Sequence, residues 1–451
     1  FAMNDPLKAA QSIRMWPYYP DLLATPVPRY TSFPTAAEFG PAVGAAQLDA
    51  ALRGATGDIS LYVHIPFCEK ICWYCGCNTG AANRRERLSS YLDALLREIA
   101  MVGARLDGRV NVRRIAFGGG SPNAIAPTDF VRLVDALTLH LRLTDPVISI
   151  ELDPRTLTEE WCAVLSAVGV THASMGVQTF DPSLQQAIGR VQPDADIERG
   201  TDLLRRAGVT SLNFDLMYGL PGQSGDMLAA TLARTAQLGA DRIALFGYAH
   251  VPHIIPRQQR IDASNLPDQA QRFAMAAQGF GLLTDAGYQP IGFDHFALPG
   301  DPLAQAAVAG RLHRNFQGFT DDAAAVLIGL GASAISQFPG LIVQNEKNAG
   351  RYRMLLSQET VPGALGIVRC AADQELGHLI EALLCQGEAR IGARRICQLG
   401  RALQPFLRRG LAELDGEVLR ILHGGLPYAR TIAALLDPYR QDSLRRFSSA
   451  V

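Results

Sequence analysis

Four of the eight cysteines fall within ten residues, in the run Cys68-Glu-Lys-Ile-Cys72-Trp-Tyr-Cys75-Gly-Cys77. Eight cysteines in 451 residues are too few for a disulfide scaffold, and thiolates spaced so closely call for a metal. Two sites compete. A structural zinc site would take four thiolates in a tetrahedron, although such sites usually join two separated clips, whereas one loop here holds every sulfur. An iron–sulfur cluster on Cys68, Cys72 and Cys75 would leave one iron without a protein thiolate, so that a cofactor or substrate can bind that iron directly. The other cysteines, Cys162, Cys370, Cys385 and Cys397, stand in helical or apolar surroundings and read as small buried hydrophobes.

The elements that must position this loop alternate. Short β-rich runs at Ile59–Ile65, Arg113–Phe117, Val147–Leu152, His172–Val177, Ser211–Met217 and Arg242–Tyr248 are separated by stretches of helical period. Leu88–Leu106 and Thr128–Leu143 carry apolar residues at i, i+3, i+4 and i+7, as crossover helices over a parallel sheet require. Six successive βα units predict an α/β fold, a full or partial barrel with its active site at the C-terminal ends of the strands. Those ends are polar or glycine-rich: the cysteine loop, Gly118-Gly119-Gly120-Ser121, Glu151, Gln178, Asp215 and Tyr248. Pro28–Thr35 is too proline-broken for helix and reads as an arm on the barrel. Gly287–Gln344, rich in aromatic, Gly and amide residues, reads as a pocket wall. The expected divisions are an N-terminal arm (1–56), a barrel core (57–290), a pocket-wall extension (291–360) and a small, mainly helical C-terminal domain of winged-helix character (361–451).

CxxxCxxC on the loop after the first barrel strand resembles the radical S-adenosylmethionine superfamily, and the likeness extends over almost the whole chain. Pro28-Arg-Tyr-Thr-Ser-Phe-Pro34, Leu61-Tyr-Val-His-Ile-Pro-Phe-Cys68, Cys75-Gly-Cys77, Phe117-Gly-Gly-Gly-Ser-Pro122, Glu151-Leu-Asp-Pro-Arg155, Gly176-Val-Gln178, Asp215-Leu-Met-Tyr-Gly-Leu-Pro221 and Tyr248-Ala-His-Val-Pro252 together resemble the oxygen-independent coproporphyrinogen III oxidases. That family converts two propionates of coproporphyrinogen III to vinyl groups, giving protoporphyrinogen IX. The resemblance implies a partial (β/α)6 barrel, a 4Fe-4S cluster on Cys68, Cys72 and Cys75, and two molecules of S-adenosylmethionine. One of these yields a 5'-deoxyadenosyl radical that takes hydrogen from a propionate β-carbon. It further implies that Tyr62, Gly119, Gly120, Ser121, Glu151, Gln178, Arg190, Asp215 and Ala249 contact the first S-adenosylmethionine, and that Tyr74, Phe316, Gln317 and Ile335 neighbour the second. Cys77, Tyr62 and Glu151 are the residues expected to serve catalysis. Cys77 favours the oxidase, because the related heme-chaperone branch usually has an aromatic there. Ser121 and Asn123 stand where the family commonly has threonine, and Tyr74 where phenylalanine is frequent.

A tetrapyrrole with four carboxylates asks for basic forks in a wide cavity; Arg29, Arg257, Arg260 and Arg314 are candidates, with His250 and His295 in the wall. A heme-binding carrier and a tetrapyrrole methyltransferase of the same superfamily are the alternatives, and the C-terminal region, which departs most from the family, bears on that choice. The formal charge of -1 and the pI near 6.8 give no global field for nucleic acid or an anionic membrane. No apolar run reaches the length of a membrane span and the first fourteen residues lack a secretory pattern, so the cytoplasm is the expected compartment. Expected partners are coproporphyrinogen III and a low-potential donor such as flavodoxin or ferredoxin, with the chain a monomer.

Overall fold

The computed structural model describes residues 16–82 and 85–440; the N-terminal segment inspected for a secretory pattern lies outside them. Six parallel strands carry the barrel: β1 (Gly57–Ile65), β2 (Val110–Gly119), β3 (Leu143–Leu152), β4 (His172–Gln178), β5 (Ser211–Tyr218) and β6 (Arg242–Gly247). In β1, Ile59, Leu61, Val63 and Ile65 are buried together with Ser60 and His64, since a parallel strand covered on both faces has no solvent side. The sheet continues through β7 (Gln289–Ile291), β8 (His295–Ala297), β9 (Leu327–Leu330), β10 (Ile335–Phe338), β11 (Leu341–Asn345) and β12 (Gly363–Val368). Its order is β12-β11-β10-β9-β1-β2-β3-β4-β5-β6-β8-β7, so it curls without closing.

Helix α1 (Ala45–Gly54) precedes β1 and packs on α2 (Arg85–Leu106) and β12; the helices that follow the barrel strands include α2, α3 (Pro127–His140), α4 (Glu159–Val168), α5 (Asp194–Arg206), α6 (Gly225–Gln237) and α7 (Gln269–Asp285). On α2 the buried Tyr91, Leu95, Ile99, Val102 and Leu106 recur at helical spacing and form the face that covers the sheet. The helical pattern read through Leu143 stops at His140, because Leu141 takes extended dihedrals and the chain enters β3 two residues later. Gly287–Gln344 is more than a wall: it supplies β7 to β10 and most of β11, and β9 pairs in parallel with β1, Tyr62 opposite Gly329. Leu327–Leu330 is four residues long and wholly buried, too short for its periodicity to reveal a strand.

Beyond the sheet lie α8 (Ala349–Ser357), α9 (Ala371–Gln386) and α10 (Gly392–Arg408). The last two pack with a three-stranded sheet of Glu388–Arg390, Val418–Ile421 and Ala412–Asp415. The arm ties this region to the barrel. The Tyr30 hydroxyl donates to Asp437 Oδ2 at 2.9 Å, Phe33 meets the Tyr439 ring edge-on, and Trp16 packs on Phe280 of α7. Of the isolated cysteines, Cys162 and Cys385 are buried but Cys370 and Cys397 are exposed, which corrects their reading as core. Cys370 caps α9 and Cys397 falls on the outer face of the amphipathic α10.

A buried carboxylate fastens the sheet extension to the barrel. Glu98 on α2 accepts from Gly331 N at 2.7 Å, from Asn345 Nδ2 at 2.8 Å and from the Tyr352 hydroxyl. Tyr91 beside it donates to His64 O at 2.7 Å and accepts from Ala332 N. Burial raises the Glu98 pKa to about 7, against the lowering effect of its three donors. The folded state therefore holds the Glu98 proton more tightly than the unfolded chain. Its contribution is complete below about pH 4.5 and is lost as pH rises through 7, at up to about 1.4 kcal/mol per pH unit. Glu98→Gln removes this dependence. Urea unfolding from pH 4.5 to 8 should show the variant gaining stability relative to the parent up to about pH 7 and holding level above; a constant difference across that range contradicts the assignment.

Candidate active site

The cysteine loop leaves β1 and is closed at its base. Phe67–Cys68 pairs in parallel with Gly80–Ala81, and Ala82 N donates to Cys68 O at 2.9 Å. Both flanks of the loop are tied. Trp73 N donates to Ile188 O and its indole covers Gly189, where an added Cβ would come within 2.5 Å of the ring. On the other side Gln258 Nε2 donates to Tyr74 O at 3.0 Å and to Ala249 O at 3.1 Å. Gln258, buried in the segment after β6, carries no sequence signal, yet it joins two residues that the motifs singled out separately.

The glycine loop at the end of β2 lies directly against the cysteine strand. Gly120 N donates to Ile65 O at 2.9 Å and Ser121 N to Phe67 O at 2.7 Å. A Cβ at Gly120 would sit 2.4 Å from Phe67 O, and one at Gly118 would sit 2.8 Å from the Glu151 carboxyl. Gly119 takes a φ of 116°, a conformation that favours glycine, and packs on the His64 ring. His64 Nδ1 in turn lies 3.0 Å from the Tyr62 hydroxyl.

One cavity gathers Cys68, Cys72, Tyr74, Cys75, Cys77, Gly119, Gly120, Ser121, Glu151, Gln178, Arg190 and Asp215. A second, inside the barrel, is lined by Tyr62, Glu151, Asp215 and Gln317 among others. Glu151, Asp215 and Ser174 belong to both walls, so the cavities adjoin. Ala249, Phe316 and Ile335 line neither: Ala249 approaches through Gln258, Phe316 sits at the hairpin tip beside Gln317, and Ile335 opens β10.

The electrostatics are arranged in two layers. Nearest the thiols lies a buried cationic pair, Arg190, expected at the first S-adenosylmethionine, and Arg155, the end of the Glu151–Arg155 motif, whose approach to a cysteine sulfur the motifs did not reveal. Arg190 Nη1 donates to Cys72 Sγ at 3.1 Å and its Nη2 to Gly176 O at 2.5 Å, and Arg155 Nη2 reaches the same sulfur at 3.8 Å. Asp153 offsets one of the two charges, at 2.5 Å from Arg155 and 3.7 Å from Arg190. Across the cavity stand the acids. Glu151 accepts from Gly119 N at 3.1 Å and is exposed to the cavity while ringed by protein. Burial raises its pKa to about 7, with Asp215 and Cys75 adding to the rise and Gly119 opposing it. Asp215, also raised by burial, accepts from Ser174 and Asn213.

This donor set suits a cluster better than a single ion. A tetrahedral zinc site would hold sulfurs within about 4 Å of one another, and among the described residues no three His, Cys, Asp or Glu side chains converge as a single-ion site does. The three thiols instead surround a space, as ligands to different irons of one cluster must. The carboxylates opposite suit a cationic ligand, and the glycine edge lets that ligand approach the backbone.

Gly120→Ala should part the two loops while the fold, anchored elsewhere, persists. We expect unchanged far-ultraviolet circular dichroism with at least about tenfold weaker S-adenosylmethionine binding by equilibrium dialysis of the reconstituted protein, a loss of about 1.4 kcal/mol; parental affinity would show that the contact is dispensable.

The description "Radical SAM superfamily" fits residues 62–234, the span that holds the cysteine loop, the glycine loop, Glu151, Gln178 and Asp215. The oxygen-independent coproporphyrinogen III oxidase of Bradyrhizobium diazoefficiens is 38% identical over 437 residues, covering 94% of this chain and 97% of the relative. That of Cereibacter sphaeroides is 40% identical over 439 residues, covering 93% and 95%. The solved structure of the Escherichia coli coproporphyrinogen III oxidase, a radical SAM enzyme, superposes with a TM-score of 0.88 at 34% identity, covering 94% of this chain and all of that one. The chain belongs to the oxygen-independent coproporphyrinogen III oxidases, a family of radical SAM enzymes.

Proposed function

We propose that the chain oxidatively decarboxylates two propionates of coproporphyrinogen III to vinyl groups, using a 4Fe-4S cluster and S-adenosylmethionine. The observation that carries this reading is the continuity of two cavities through Glu151, Asp215 and Ser174, which sets a cofactor chamber walled by thiols against a barrel chamber deep enough for a substrate arm. When bound, the cluster and S-adenosylmethionine together supply a 5'-deoxyadenosyl radical.

The residues of the chain then have separate tasks in this proposal. Cys68, Cys72 and Cys75 hold the cluster, with the Arg190 and Arg155 guanidiniums directed at Cys72 Sγ. Glu151 and Asp215 meet the positive charge of the first S-adenosylmethionine, while Gly119, Gly120, Ser121, Gln178, Arg190 and Ala249 shape its bed. Tyr62 carries a hydroxyl into the barrel, held by His64. Tyr74, Phe316, Gln317 and Ile335 border the place of a second S-adenosylmethionine, and of these Gln317 reaches the barrel cavity. Cys77, exposed on the cavity side with its N–H directed at Cys75 Sγ at 3.4 Å, serves turnover rather than ligation.

Basic residues collect at the mouth. Arg314 stacks on Phe319 and Phe293 at 4.4 and 5.0 Å, with its Nη1 buried and without a hydrogen-bond partner in the protein. Arg29 lies over Phe246 at 5.1 Å, and Arg430 over Phe293 at 5.4 Å. The Arg314 N–H short of an acceptor suits a carboxylate ligand, so Arg314 is placed to receive a propionate of the tetrapyrrole, with the positive charges of Arg29 and Arg430 close by. Arg257 instead contacts Thr79 beside the cysteine loop, and Arg260 makes no comparable approach. No helix is long and apolar enough to cross a membrane among the described residues; the proposal places the protein in the cytoplasm, as a monomer fed by a low-potential electron carrier. It keeps the division into arm, barrel, wall and helical tail.

Anaerobic incubation of reduced, reconstituted protein with S-adenosylmethionine and coproporphyrinogen III should give protoporphyrinogen IX and matching 5'-deoxyadenosine by mass spectrometry. 5'-Deoxyadenosine without decarboxylated product would overturn the substrate assignment. Cys72→Ala should lose the iron, whereas Cys77→Ser should keep iron and sulfide content and lose turnover; full activity of the second variant would remove Cys77 from the chemistry.

A further inference from the structure

A third cavity lies on the outer side of the cysteine strand. It has a volume of about 570 Å³, and its lining includes Pro66, Phe67, Thr79, Arg87, Lys347 and Arg353. Thr79 also lines the cavity of the thiols, so one residue separates this groove from the cluster chamber. The strand Phe67–Cys68 makes the same connection, with Phe67 lining the groove and Cys68 the chamber. Asn78, next to Cys77, fixes the far rim by donating to Lys347 O at 3.4 Å.

The groove is bordered by positive charge. Arg87 on α2, Lys347 before α8, and Arg351 and Arg353 on α8 are exposed. Arg353 donates to Ser90 Oγ, which turns its cation along the groove wall. Among the described residues none of these four cations forms an ion pair. Other surface arginines are paired, as Arg234 is with Asp194 and Glu198 and Arg420 with Glu388 and Glu413, and what distinguishes the four here is that they border one groove. The neighbouring Glu346, which accepts from Asn348 N, offsets one of these charges and leaves the rim net positive. In a chain of net charge -1, that excess of cations around one groove forms a local field that attracts an acidic surface.

We propose that this groove is the docking surface for a small acidic one-electron carrier protein that reduces the cluster through the Thr79 and Phe67–Cys68 wall. The proposal rests on the cluster assignment above and names the partner of that same site. The step balances simply: the carrier loses one electron, the cluster gains one, and no bond or proton changes. Contacts of this kind are small and transient, so charge at the rim governs the association rate and makes it dependent on salt.

The test uses the full-length reconstituted protein and a reduced, acidic plant-type [2Fe–2S] ferredoxin as probe, with cluster reduction followed anaerobically by stopped-flow absorbance. Arg87→Glu/Lys347→Glu/Arg353→Glu should slow reduction by ferredoxin at least tenfold at low ionic strength and abolish its salt dependence. Reduction by dithionite, and 5'-deoxyadenosine formation with dithionite as reductant, should match the parent. The single variants Arg87→Glu and Lys347→Glu, each an exposed side chain, should show part of the same loss. Arg394→Glu/Arg401→Glu, on the exposed face of α10, is the control and should leave the rate unchanged. Parental ferredoxin rates in the triple variant, an equal loss in the control, or failure of ferredoxin to reduce the parent would overturn the docking surface. Absence of 5'-deoxyadenosine in the dithionite experiment would instead count against the proposed function, while the reduction rates still decide the groove.

Discussion

The site depends on the backbone contact between the glycine loop and the cysteine strand. Gly120 N and Ser121 N bond to the carbonyls of Ile65 and Phe67, at a separation that leaves no room for a Cβ at Gly120. That contact brings the ends of β1 and β2 together, and with them the thiols and the glycine edge of the cofactor bed. Glu151 on β3 is set by the same approach, because Gly118 yields the space that its carboxyl occupies and Gly119 N binds it. A parallel sheet places each strand end beside the next, and here that geometry assembles residues far apart in the chain into one wall.

Charge is distributed so that each part of the site meets an opposite. Asp153, Arg155 and Arg190 form a buried group with one positive charge in excess, whose cationic side faces Cys72. Glu151 and Asp215 keep raised proton affinities by burial, a state that a cation entering the cavity reverses by favouring their ionised forms. Asp294 at the mouth is held down to about 2, since His295, Arg314 and Arg29 outweigh its burial. The deep chamber is therefore ready for a cation and the mouth for anions, as a sulfonium cofactor and a carboxylate-bearing substrate require.

Much of this was legible in the sequence because the relevant features are local. Cysteine spacing, a glycine run after a strand and a carboxylate inside a strand are each set within a few residues. The six barrel strands follow from their β-rich runs and the helices between them. What escaped depends on contacts across the fold. Arg155 bears on Cys72 from 83 residues away, and Gln258 joins Tyr74 to Ala249 across 184 and 9 residues. Arg155 closes the Glu151-Leu-Asp-Pro-Arg155 motif, but nothing in that run points to Cys72, and Gln258 has no pattern of its own. β9 was hidden by its length, and the placement of Phe316 and Ile335 outside both cavities depends on how the hairpin and β10 turn. The cations around the groove behind the cysteine loop come from α2 and from the segment entering α8, which only the sheet extension brings together.

The central claim is that three thiolates leave one iron facing the chamber of Glu151 and the glycine loop. Electron paramagnetic resonance of the reduced, reconstituted protein, recorded before and after saturating S-adenosylmethionine, tests it directly. The account predicts a cluster signal whose g-values shift when S-adenosylmethionine binds the open iron. A signal unchanged by saturating cofactor would mean that the cluster is closed by the protein, and would contradict the account.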